Sequence, residues 1–327
     1  MLLAKVLGPY LNSSPIIILD IGSRGGPHRR WYPLKGIARF FGFEPDASEC
    51  RRLNSAQYPV DAEFLPYALG REDGKTESLS ITRQPGCSSL YKPDLPFLKQ
   101  FYYGPNLEVE REVSVQVRCL DGVREIQNAR VDAIKIDTQG YELEILRGAK
   151  DTLRAVKLVE LEVEFSAMYT HQPLFADVDV FMRDQGFFLL GLRRTSWRRI
   201  HPEDCPIRTH AGGQIIHGDV LYAKLPTDDL ADHIRMIALL SRYRQDDFVA
   251  DLLFRAKPVV DALSRSERVQ LAEALLSQRP SAANAFLWFT SNALAVLTGL
   301  RTNRQWRKVV DNLRLQNAEA WHDPDFY

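Results

Sequence analysis

The sequence predicts an α/β protein: a doubly wound, mainly parallel seven-stranded sheet with an antiparallel last strand, joined to an all-α C-terminal domain. Three observations carry this expectation. Apolar runs recur with helical segments between them, which is how a parallel sheet covered by helices is written. The first run, Ile16 to Leu19, is continuously aliphatic, as a strand buried on both faces is. From about residue 227 onward the pattern turns wholly helical.

The runs are "PIIILDIG", "IARFFGFEP", "AEFLPYALG", "VDAIKID", "KLVELEVEF", "FFLLGLRR" and "QIIHGDVLYAKL". Between the fourth and fifth, Leu143, Leu146, Ala149 and Leu153 share one helical stripe. Between the fifth and sixth, "PLFADVDVFMRDQG" opens with Pro and closes with Gly, the usual punctuation of a helix. Only a loop separates the last two runs, so they are expected to pair antiparallel. "KTESLSITR" and "LEVEREVSVQVRCLD" alternate like exposed strands and predict a β insertion at about 75–118. The expected division is an α/β domain over 1–226 and a helical domain over 227–327. In the latter, Ser264 followed by Glu267 has the spacing of a capping box ahead of Val269, Ala272, Leu275 and Leu276.

Size and charge exclude several classes. The 327 residues, 45% hydrophobic, suffice for one large core and a second smaller one. Lys plus Arg and Asp plus Glu number 42 each, so the overall field favours neither nucleic acid nor an acidic membrane. Cys50, Cys87, Cys119 and Cys205 lie far apart without metal-ligand or paired spacing, which argues against a zinc site or disulfide framework and for a cytoplasmic location. No leader-like segment opens the chain. Residues 281–300 carry no charge, close to the length of a membrane span. Their polar and apolar residues fall on separate stripes, so a core helix is expected, with peripheral membrane contact left open.

The chemistry begins where the first strand ends. In "IIILDIGSRGGPHRRW", Gly22, Gly25 and Gly26 make a bend that lets backbone approach a ligand at the carboxyl edge of the sheet. Neither the dinucleotide fingerprint nor a phosphate-binding P-loop is present. Asp20 before the bend would repel a pyrophosphate and attract an ammonium group. Glu44, ending the second run, is placed to accept hydrogen bonds from a ribose diol, of NAD or of S-adenosylmethionine. An amino-acid-bearing nucleoside satisfies both acids; a helix cap at Asp20 and a solvated loop acid at Glu44 are the plainer alternatives.

"VDAIKIDTQGYELEILRGA" at 131–149, with "FFGFEPD", "ALGREDGKTESLSITRQPGCSSL" and "LEVEFSAMYTHQPLFADVDVFMRDQGF", closely resembles the FkbM family of S-adenosylmethionine-dependent methyltransferases, within the class I, Rossmann-like methyltransferases. The resemblance runs over roughly residues 14–225. It departs from the family at the first turn, where this chain has Ser23-Arg24. It implies that Asp20 and Gly22 meet the methionyl end of the cofactor, beside which Ser23 is also a candidate, and that Glu44 binds its ribose. It also implies that Ala68 of "PYALG" lies beside the adenine, and that Glu162 is the acid the family carries on this strand.

Asp137, at the end of the fourth run, is expected near both cofactor and acceptor, positioning a hydroxyl or helping to take its proton. Capping the helix that begins near Gly140 is a compatible role. Glu142 and Glu144 are expected on a solvated helix face. Glu160, Glu162 and Glu164 alternate with aliphatic residues and so share one face. Glu162 ranks first among them, with a salt bridge to Arg193 or Arg194, or a divalent metal shared with Asp137, as other readings; no dedicated metal-ligand motif is present. The segment 195–213 mixes Trp197, Arg198, Arg199, His201, Arg208 and His210, which suits a sugar or an anionic acceptor. His210, His217 and His171 are candidate bases, and His210 is taken with Asp137 and Glu162 as the catalytic set.

The expected function is O-methylation of a hydroxyl on a sugar, glycoconjugate or secondary metabolite, with S-adenosyl-L-methionine as donor. A non-catalytic nucleoside-binding or scaffold module is the alternative. Nucleic acid is not an expected partner, and homo-oligomerisation through the helical C-terminal region stays open. So does docking on an anionic partner through Arg301, Arg304, Trp306, Arg307 and Lys308.

Overall fold

The computed structural model describes residues 2–11, 14–202, 205 and 212–276. The strands are β1 (Ile16–Ile21), β2 (Ala38–Phe43), β3 (Asp61–Leu65), β4 (Ala68–Gly70), β5 (Lys75–Thr82), β6 (Val109–Cys119), β7 (Val131–Ile136), β8 (Leu158–Glu164), β9 (Phe188–Trp197) and β10 (Gln214–Ala223). The helices are α1 (Leu2–Leu7), α2 (Ala47–Ser55), α3 (Leu95–Leu98), α4 (Glu142–Arg147), α5 (Thr152–Ala155), α6 (Phe175–Asp184), α7 (Leu230–Arg242), α8 (Asp246–Arg255), α9 (Lys257–Ala262) and α10 (Arg265–Leu276).

The large sheet has seven strands in the order β3-β2-β1-β7-β8-β10-β9. Every pairing is parallel except those of β10, which runs antiparallel to both β8 and β9. All six residues of β1 are buried, which is why its sequence does not alternate. Ile17, Leu19 and Ile21 join Ile134, Ile136, Val159, Leu161 and Val163 in a core closed by Leu143, Leu146, Leu153 and Val178 from α4 to α6. Burial of this aliphatic face is the main favourable term in folding.

Two local features shape the region above the sheet. "AEFLPYALG" is not one strand: Pro66 has no N–H to give to a ladder, and the run divides into β3 of the large sheet and β4 of a three-stranded sheet ordered β4-β6-β5. This smaller sheet, with β5 antiparallel to β6, is the β insertion. Residues between β5 and β6 then form a separate cluster in which Cys87, Leu98, Phe101 and Leu107 pack on Met168, Tyr169, Trp197 and Ile216.

The chain divides into two compact units, one of α1 with α7 to α10 and the other of both sheets with α2 to α6. Helix α1 thus groups with the C-terminal helices, whereas the sequence puts residues 1–226 together. The capping box forms as expected: Ser264 N donates to Glu267 at 2.7 Å, and Glu267 N donates to Ser264 Oγ at 3.3 Å. The buried positions of α10 are Leu271 and Leu275, while Val269 is exposed. Among the described residues no helix is long and apolar enough to cross a membrane. The segments 281–300 and 301–308 lie outside the described residues.

Candidate active site

Chain order reverses direction at the boundary between β1 and β7, and an open α/β sheet binds its ligands in the crevice outside the strand ends at such a point. A cavity of about 480 Å³ lies there. Gly22 after β1, Glu44 after β2, Ala68 at the start of β4 and Asp137 after β7 all line it, and Leu79 and Ile81 of β5 add apolar wall. Gly22 has φ +87°, and a Cβ on it would sit 2.0 Å from the carbonyl oxygen of Asp137. Only glycine fits a bend pressed this tightly against the neighbouring strand end. Glu44 Oε1 accepts the N–H of Asp46 at 2.9 Å, which fixes the carboxylate at the wall. Burial pushes Glu44 above the ordinary carboxylate range, against the opposing pull of that N–H and of Arg24.

Two of the residues expected at the cofactor are placed elsewhere. Neither Asp20 nor Ser23 lines the cavity. Asp20 is buried within β1 and faces Lys135 of β7 at 3.6 Å, the position opposite it in the ladder. Its charge is matched inside the sheet, so Asp137 is the acid that reaches the cavity from this side. Ser23 is buried, its N–H donating to the Phe43 carbonyl at 3.2 Å. Lys135 also lies 3.5 Å from Asp137. Burial alone would pull its ammonium down, but Asp20, Asp137 and Glu160 outweigh it and hold Lys135 above its ordinary value.

A second cavity, of about 450 Å³, adjoins the first and shares Gln84, Gly86 and Gln139 with it. Glu162, Thr195, His217, Trp197, Tyr103 and Met168 line its other walls. Gln139 forms the partition. Its side-chain nitrogen donates to Asp137 Oδ1 and to Glu162 Oε1, both at 3.0 Å, so the two acids converge on an amide. Gln139 has φ +60°, a left-handed conformation rare for a residue with a side chain, and such strain concentrates at functional sites. Ser89 Oγ donates to its carbonyl at 2.7 Å, and the Tyr169 hydroxyl lies 3.2 Å from its Oε1.

His217 Nδ1 lies 3.6 Å from Glu162 Oε1. The β10–β9 register shifts between Ile215 and His217, and a bulge at a sheet rim re-aims the side chain it carries. Burial holds this imidazole below its ordinary value. Burial, then repulsion from Asp137, Glu164 and Asp219, holds Glu162 well above the ordinary glutamate value.

The remaining expectations meet mixed placements. His210 and Arg208 lie outside the described residues. Asp137 does not cap α4, which begins at Glu142; its carboxylate is taken by Gln139 and Lys135. Glu142 is buried rather than solvated, accepting from Thr138 N at 2.7 Å and Thr138 Oγ1 at 3.0 Å, and burial raises it to about 7. Glu144 pairs with Arg147. Glu160 meets Arg30 at 3.0 Å, and Arg193 stands opposite Asp219 in the ladder, so neither Arg193 nor Arg194 is the partner found for Glu162. Arg199 turns to Gln100 and Gln214. His171, with φ +62°, lines neither cavity. Among the described residues no three His, Cys, Asp or Glu side chains are grouped to hold a metal ion.

An open, mostly parallel sheet with a cavity over its switch point defines a Rossmann-like α/β protein. Residues 28–189 match the family model described as "Methyltransferase FkbM domain", so this stretch is a methyltransferase domain of the FkbM type. It is 26% identical over 173 residues to the 2-O-methyltransferase NoeI of Sinorhizobium fredii, a match covering 50% of this chain and 70% of that protein. It is 24% identical over 191 residues to the hexuronic acid methyltransferase AglP of Haloferax volcanii, covering 54% and 71%. The solved structure of M. capricolum TrmK with S-adenosylhomocysteine aligns at 8% identity over 85% of this chain and 97% of that one, with a TM-score of 0.29.

Proposed function

We propose that the protein transfers a methyl group from S-adenosyl-L-methionine to a hydroxyl of a sugar, glycoconjugate or secondary metabolite. The observation that carries this reading is the pair of adjoining cavities separated by Gln139, one over the switch point and one walled by Glu162 and His217. The larger cavity has the size and the donor set for the nucleoside. Glu44 supplies an acceptor for a ribose diol, the bend at Gly22 brings backbone to the cavity without a side chain, and Ala68 keeps the wall thin. When bound, S-adenosylmethionine supplies an electrophilic methyl on a sulfonium centre. Of the residues expected to hold it, Gly22, Glu44, Ala68 and Asp137 are supported by their place in the lining; Asp20 acts through Lys135 and Ser23 through the backbone of the bend.

The chain's own part in the transfer is positioning and proton handling. Asp137 and Glu162, tied together by Gln139, orient the acceptor hydroxyl at the junction. His217, neutral at neutral pH because burial lowers it, receives the proton the hydroxyl gives up. It takes the role assigned in sequence to His210. The names of the two relatives, a 2-O-methyltransferase and a hexuronic acid methyltransferase, support a sugar as the acceptor class. Charge balance and the wide spacing of the four cysteines support a cytoplasmic enzyme whose partner is a small molecule or glycan rather than nucleic acid. The helical region beyond residue 227 is proposed as a separate domain that could serve oligomerisation.

The test is incubation with methyl-labelled S-adenosylmethionine and glycan or metabolite extracts, followed by mass spectrometry. Label on a hydroxyl oxygen, lost in His217→Asn and Glu162→Gln, supports the reading. Label on nitrogen or carbon contradicts it.

A further inference from the structure

We propose that the smaller cavity takes an uncharged sugar ring and rejects uronic acids, because the one acid among the described residues at its floor, Glu162, is backed by further carboxyl groups and its side wall is an aromatic corner. The inference rests on the cavity being the acceptor site of the function proposed above.

The floor follows from strand alternation. Residues two apart on a strand share a face, so Glu160, Glu162 and Glu164 of β8 project together. The ladders add Asp219, opposite Glu162, and His217, opposite Glu164, from β10. Asp137, just beyond β7, reaches the same place through Gln139. The cations near this face are Arg30, paired with Glu160; Lys135, beside Asp20 and Asp137; and Arg193, opposite Asp219 in the β10–β9 ladder. Among the described residues lining the cavity there is no Lys or Arg. Burial and mutual repulsion already hold Glu162 and Glu164 well above their ordinary values and Asp219 at about 7. The acids behind Glu162 already repel one another, so a substrate carboxylate would add one more like charge beside them.

The wall explains what is accepted instead. The rings of Tyr103 and Trp197 meet at 4.8 Å and a tilt of 47°, and Trp197 stands edge-on to His217 at 6.0 Å. This corner offers apolar surface to the C–H face of a sugar ring. Gln84, Thr195, Glu162 and His217 offer hydrogen bonds to its hydroxyls.

The full chain is titrated with methyl pyranosides of neutral hexoses and with the matching methyl glucuronate and galacturonate, each with and without S-adenosylhomocysteine, by saturation-transfer NMR. Neutral pyranosides are expected to bind at least about tenfold more tightly than the uronates. Glu162→Gln should narrow that gap severalfold by admitting the uronates, and Trp197→Ala should weaken the neutral sugars. S-adenosylhomocysteine binding by each variant verifies that it is folded. Uronates binding as tightly as neutral sugars, or neutral sugars failing to bind, would overturn the proposal. Failure of S-adenosylhomocysteine to bind the wild-type chain would instead count against the methyl donor assigned to the larger cavity.

Discussion

Gly22 is pressed against Asp137: a Cβ at position 22 would fall 2.0 Å from the Asp137 carbonyl oxygen, while Asp137 N donates to the Ile21 carbonyl at 2.9 Å. The ends of β1 and β7 are therefore one braced unit, and the bend that opens the larger cavity depends on it. Gly22→Ala meets both a steric conflict with backbone and a left-handed φ. It is expected to lose more than about 2 kcal/mol of stability, measured by urea denaturation, and to bind nucleoside poorly where it still folds.

Arg30 and Glu160 form an ion pair at 3.0 Å with side chains 5% and 3% exposed. Removing one partner leaves a buried charge without its counterion. Arg30→Met should cost roughly 3–5 kcal/mol, and Arg30→Met with Glu160→Gln should recover much of it, since neither charge then remains. Chemical denaturation of the two variants measures the difference.

Glu142 is buried and held at about 7, above its ordinary value of 4.5. The folded state therefore binds its proton more tightly than the unfolded chain does. Its contribution is fully present below about pH 4.5 and is lost as pH rises through about 7. Glu142→Gln mimics the protonated form and can still accept from Thr138. The advantage of the variant over wild type should grow by about 2–3 kcal/mol between pH 5 and pH 8. Equal stability differences at both pH values would contradict the assignment.

Gln139 donates to Asp137 and Glu162 at once. Gln139→Ala frees both acids and removes a donor that favours the charged form of Glu162. Methyl transfer is expected to fall by about tenfold to a hundredfold, with the acidic limb of the pH profile moved upward. A fall in rate with no movement of that limb would indicate a packing role alone.

The parts of the fold carried by local pattern were legible in the sequence. The aliphatic run of β1, the antiparallel pairing of β9 and β10 across a loop, and the Ser264–Glu267 cap each depend on neighbours along the chain. What depended on partners distant in sequence was not. The glutamate alternation of β8 announced a polar face, but Arg30, a partner 130 residues away, and Gln139 could be found only once the ladder was formed. Asp20 read as a ligand-facing acid because the Lys135 beside it lies on another strand. Lys135 itself, set in the apolar run "VDAIKID", was a signal that a buried carboxylate would be waiting for it. Glu142 is a local exception: its donors on Thr138 stand only four residues back, yet it read as solvated because the turn that folds Thr138 onto it had no pattern in the sequence.

The proposed methyl transfer needs the cavity between the ends of β1, β2 and β7 to hold the nucleoside of a sulfonium methyl donor, with Glu44 on its ribose. Calorimetric titration of the full chain with S-adenosylhomocysteine tests it most directly. One site per chain is expected, with a loss of about tenfold to a hundredfold in affinity for Glu44→Ala. A folded wild-type protein that takes up no S-adenosylhomocysteine, or a Glu44→Ala variant that binds it unchanged, would rule out this role for the cavity.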